Sequence, residues 1–122
     1  MDWGLKRRSN QSRGDQVVDV TDISGKMADL QKMRVALVIL TSQETSKLLS
    51  RRQRVAGKEI EVMCAERDLH QGLPGASREA LDALYTQDAV LRQQLQETEA
   101  EIEKMEGLMV KINADIASLC QS

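Results

Sequence analysis

The sequence predicts an all-α fold: two long helices forming an antiparallel coiled-coil hairpin, preceded by a flexible basic N-terminal arm. Three observations carry this. The 122 residues include one Pro, no Phe, one Trp and one Tyr, and 30% are charged. That is the profile of long helices, which exclude proline and favour straight side chains, and not of a compact core built on aromatics. The last third carries a sustained heptad stripe. Between the helical stretches lies a single break, Gly72-Leu73-Pro74-Gly75-Ala76.

Residues 1–19 lack periodicity and are punctuated by Gly4, Ser9, Asn10, Ser12 and Gly14. Lys6, Arg7, Arg8 and Arg13 make this arm basic and offer a contact to an acidic partner or an acidic membrane surface. The hairpin then occupies 20–122. Helix 1, about 21–71, starts where Thr21 or Ser24 can cap it. In the loop, 72–76, Gly72 suits the left-handed position after a helix and Pro74 cannot continue one. Helix 2, about 77–119, has Ser77 as its cap and Glu79 in the first turn, where the helix dipole favours a carboxylate.

Alternating steps of three and four from Leu81 give Leu84, Asp88, Leu91, Leu95, Thr98, Ile102, Met105, Met109, Ile112, Ile116 and Leu119. Only Asp88 and Thr98 interrupt an apolar seam that runs through six heptads, which calls for supercoiling against another helix. The same steps from Met27 give Leu30, Arg34, Leu37, Thr41, Glu44, Leu48, Arg51, Val55, Lys58, Val62, Ala65 and Leu69, a weaker seam. The short loop favours a register with Val62 opposite Leu84, Val55 opposite Leu91 and Leu37 opposite Met109. It also sets Lys58 opposite Asp88, so these two are expected to pair and to fix the register. Lys47 is expected near Glu101 in the same alignment.

Helix 1 carries more apolar surface than one seam needs. Met33, Val35, Leu37, Val38, Ile39 and Leu40 point all round it, and a helix apolar all round is buried all round. A second set, Leu49, Ala56, Ile60 and Met63, recurs further along. Met33, Val35, Val38, Ile39, Leu49, Ile60 and Met63 are therefore the expected partner-binding residues. The expected partners are helices of other proteins in a hetero-oligomeric complex, with a homo-oligomer as the alternative.

No catalytic or cofactor-binding set emerges, and no cofactor or metal is expected. His70 is the only histidine, and Cys64 and Cys120 make no disulfide framework. There is no Gly-rich phosphate loop with Lys, and a two-helix hairpin offers no deep pocket. The near-neutral balance, formally −2, does not suit specific nucleic-acid binding. The longest wholly apolar run, Val35–Leu40, falls far short of the roughly 20 residues of a transmembrane segment, and residues 1–20 hold no secretory signal. A cytoplasmic place, including attachment to the cytoskeleton or another complex, is expected.

The leading expectation is a non-enzymatic structural or adaptor subunit of a multi-protein assembly. A second is a secretion or export chaperone: in the shape of its two helices and short loop the chain resembles the stalk proteins of type III secretion, which implies action alongside an ATPase. A third is a peripheral membrane factor that uses the basic arm, with Trp3 and Leu5, while the hairpin self-assembles.

Overall fold

The computed structural model describes the backbone of residues 6–121 and the side chains of residues 22–121. It contains two helices, α1 (Lys6–His70) and α2 (Arg78–Cys120), packed side by side as a hairpin, with no strand among the described residues. Of the arm expected over 1–19, residues 1–5 lie outside the described residues, as do the side chains of Lys6, Arg7, Arg8 and Arg13. Ser24 does not cap a helix; it lies inside α1. Gly25 beside it is the one poor helix former nearby, and a single Gly costs only about 1 kcal/mol, too little to stop a long helix.

The turn is built as its residues require. Gly72 has φ 66°, and Leu73 N donates to Asp68 O at 3.0 Å while Gly72 N donates to Leu69 O at 3.1 Å. These bonds satisfy the last carbonyls of α1 in a Schellman arrangement. Gly75 takes a second positive φ, 86°. On the far side of the turn Ser77 Oγ accepts from Ala80 N at 3.1 Å, and α2 begins at the next residue with Glu79 in its first turn.

The chain divides into two units, Ile39–Glu106 and Met1–Val38 with Gly107–Ser122. In Ile39–Glu106, which holds the turn, Val55, Leu81 and Thr98 are buried, and the remaining seam positions of both helices are half-buried. Thr41 Oγ1 donates to Met105 Sδ at 3.7 Å, the pairing that the expected register requires. In the other unit Leu37 and Ile112 are buried, and Met27, Leu30, Met109, Ile116 and Leu119 are half-buried. Arg34 is the one described seam position left exposed. Along α2 every half-buried or buried residue is a seam residue except Gln94.

Candidate functional site: the outer face of the first helix

Calling Val55 position a of a heptad and Lys58 position d, α1 turns a and d toward α2, flanks them with e and g, and turns b, c and f outward. The e edge of Ile39–Glu106 is stitched by polar pairs that step by seven along α1 and back by seven along α2. Arg52 meets Glu99 at 3.8 Å, Arg92 Nη2 meets Glu59 Oε2 at 2.7 Å, and Tyr85 Oη donates to a Glu66 carboxylate oxygen. That last hydrogen bond, aided by partial burial and the Glu66 charge, raises the Tyr85 phenol above its ordinary value. Arg92 is likewise raised, by its bonds to Asp88 and then to Glu59.

The polar residues in the seam are matched differently from the expected scheme. Lys58 and Asp88 form no ion pair. Lys58 Nζ donates to Gln87 Oε1 at 2.8 Å and to Glu61 Oε1 at 3.2 Å, while Arg92 Nε takes Asp88 Oδ2 at 2.8 Å. The lysine stem is long enough to carry the ammonium to the wet rim, and Arg92 sits one turn from Asp88 on its own helix, already anchored by Glu59. Asp88 Oδ1 is left buried without a protein donor. Lys47 also stays on its own helix, 2.8 Å from Glu44, and Glu101 pairs with Lys104.

The cross-seam polar contact lies elsewhere. Arg51 Nη1 donates to Gln94 O at 3.2 Å and to Thr98 Oγ1, and Thr98 Oγ1 donates to Gln94 O at 3.0 Å. Thr98 is the most buried polar side chain described, 1% exposed. Its hydroxyl is satisfied as donor and acceptor, and the half-buried guanidinium has two acceptors on the facing helix. Reading Arg51 and Thr98 merely as interruptions of two separate seams missed this pair.

The expected partner-binding residues are all uncovered. Met33, Val35 and Val38 are at least half exposed in one unit. In Ile39–Glu106, Ile39 and Leu49 are more than half exposed, Ile60 is 62% and Met63 64% exposed. There the pattern is sharper than exposure alone. Positions b, c and f between Ile39 and Cys64 are Ile39, Ser42, Gln43, Ser46, Leu49, Ser50, Gln53, Ala56, Gly57, Ile60, Met63 and Cys64, all exposed and none charged. Glu44, Lys47, Arg51, Arg52, Arg54, Lys58, Glu59 and Glu61, every charged residue of that stretch, occupy d, e or g, in or beside the seam with α2. A solvated helix places its charges the other way round. The outward positions of α2 follow the ordinary rule, with Asp82, Glu97, Glu103 and Lys104 among them. The signal is present in the sequence, but only once the seam phase is known.

Other chemistry is sparse. A groove of about 360 Å³ lined by Lys58, Thr86, Gln87, Val90 and Leu91 lies in Ile39–Glu106. Another, of about 400 Å³, is lined by Lys26, Asp29, Leu30, Asp115, Ser118 and Leu119 in the other unit. Among the described residues no cluster of His, Cys, Asp and Glu could hold a metal, Cys64 and Cys120 are free and exposed, and no helix is long and apolar enough to cross a membrane. The chain matches no family model, no curated protein and no solved structure.

Proposed function

We propose that this chain is a non-enzymatic structural or adaptor subunit that binds partner helices on the outward face of α1. The observation that carries this is the charge-free outward stretch from Ile39 to Cys64, in which Ile39, Leu49, Ile60 and Met63 stand more than half exposed. Fully covering a large aliphatic side chain is worth about 1.5–3 kcal/mol, so completing the burial of these four offers several kcal/mol to association. They lie on the side of α1 away from its seam with α2, and so the hairpin cannot cover them by closing further. The two apolar positions Leu49 and Ile60, with small Ser42, Ser46, Ala56 and Gly57 between or beside them, suit a helix laid along the face.

The test is a pair of charge substitutions on the face. Leu49→Glu and Ile60→Glu point away from α2 and are expected to leave helicity and cooperative melting of the hairpin intact, while releasing the chain from its native assembly. Val90→Glu, on exposed α2 surface, is the control expected to stay assembled. Retention of both α1 variants in the assembly at wild-type level contradicts the reading.

A further inference from the structure

We infer that the N-terminal part of α1 pairs with the same part of a second copy of the chain, the two running antiparallel about a two-fold axis level with Gly14 and Asp15. This surface is separate from the outward face between Ile39 and Cys64 and does not rest on it. Lys26 and Leu30 line one groove with Ser118 and Leu119, so α2, whose last residue is Cys120, ends about level with Lys26. The first helix begins at Lys6, and its residues 6–25 therefore run about 30 Å past the end of α2 at 1.5 Å per residue. A helix draws most of its stability from what it packs against, and α2 does not reach this stretch.

The order of charge along the stretch selects the partner. Its cations are Lys6, Arg7, Arg8 and Arg13, and residues 6–13 hold no acid. Asp15, Asp19 and Asp22 follow, and residues 14–25 hold no base. The helix by itself relieves neither block. None of the four cations has a carboxylate three or four residues away within α1. Asp15 and Asp19 are four apart and Asp19 and Asp22 three apart, both like-charge spacings. The first turn of α1 holds no acid, and the helix dipole disfavours the cations that stand there. Asp22 does meet Lys26 at 3.1 Å, but both are exposed, and such a pair contributes little.

A segment whose two halves carry opposite charge is complementary to itself reversed. About the stated axis Arg7 of each copy stands level with Asp22 of the other, Lys6 and Arg8 flank that level, and Arg13 stands within one residue of Asp15. A parallel pairing in register sets cations against cations and carboxylates against carboxylates. The two-fold contact is closed, so association stops at the dimer.

The experiment reverses one block at a time in the full chain and reads mass by sedimentation equilibrium. One variant carries Lys6→Glu, Arg7→Glu, Arg8→Glu and Arg13→Glu; the other carries Asp15→Lys, Asp19→Lys and Asp22→Lys. The wild type is expected to form a reversible dimer that weakens from 0.1 to 1 M salt, as contacts between exposed charges do. Each variant alone is expected to show a dissociation constant raised at least about tenfold, and an equimolar mixture of the two to associate again, since the mixture restores opposite charges at every level. In a Cys64→Ser, Cys120→Ser background, a nitroxide on Ser24→Cys is expected about 30 Å from its counterpart along the axis. Nitroxides in close contact overturn the antiparallel direction. A helical wild-type monomer, variants that dimerise as the wild type does, or a mixture that stays dissociated overturns the pairing. Leu49→Glu and Ile60→Glu are expected to leave this dimer intact, so failure here and failure of the outward-face reading are read separately.

Discussion

Two polar contacts in the seam act in opposite senses. Arg51 and Thr98 form a satisfied pair with the Gln94 carbonyl, whereas Asp88 has one oxygen buried without a donor. A hydrogen bond to a charged group contributes about 1.5–3 kcal/mol, and an unsatisfied buried polar atom costs about 1–3 kcal/mol. Arg51→Leu and Thr98→Val are therefore expected to be coupled, with a double-mutant cycle in urea giving an interaction of about 1–2 kcal/mol. Purely additive effects would contradict the pairing. Asp88→Leu is expected to stabilise the hairpin by about 1 kcal/mol or more, since Arg92 keeps Glu59; a loss of stability would show that Asp88 serves the register after all. Tyr85, the only tyrosine, gives a spectroscopic readout of the e edge. Its folded value is raised, so the contribution of its bond to Glu66 is complete below the ordinary phenol range near 10 and fades as pH rises through the raised value. Absorbance titration is expected to show a midpoint above 10 that falls back in Glu66→Ala.

The elements were the most legible part of the sequence, because each boundary device is local. Gly72 and Ser77 sit where a left-handed residue and a cap are needed, and their hydrogen bonds confirm both roles. Ser77→Ala is expected to cost about 1 kcal/mol. Gly72→Ala is expected to cost about 1–2 kcal/mol from backbone strain alone, since a Cβ there meets nothing within 4 Å. Gly107, inside α2 and equally open, behaves in the opposite way: Gly107→Ala is expected to gain about 0.5–1 kcal/mol. Thermal melts of the three variants would read the order directly. The seam phase was legible too, and Thr41 against Met105 bears it out. What periodicity could not show was where long side chains go. Lys58 and Arg51 both occupy d in α1, yet one reaches the rim and the other crosses to Thr98. That choice depends on the competing partners Gln87, Arg92 and Gln94, which are set by the packed pair and not by either helix alone.

At the scale of the whole molecule, the distribution of charge matters more than its total. The formal charge of −2 is unremarkable. Yet α1 gathers its charges in and beside the seam with α2 between Ile39 and Cys64 and turns an uncharged face outward. The excess of apolar residues was legible from composition, and all seven residues expected to bind a partner are exposed in the hairpin. The absence of charge between them was hidden until the heptad phase sorted inward from outward positions. An account in which this face meets other helices is tested most directly by position-specific photo-cross-linking in living cells. A benzophenone amino acid is placed at Gln53, in the middle of the face, or at Gln96, on the outward side of α2. The account predicts a discrete covalent adduct from position 53 and none from position 96. No adduct from 53, or equal adducts from both, would contradict it.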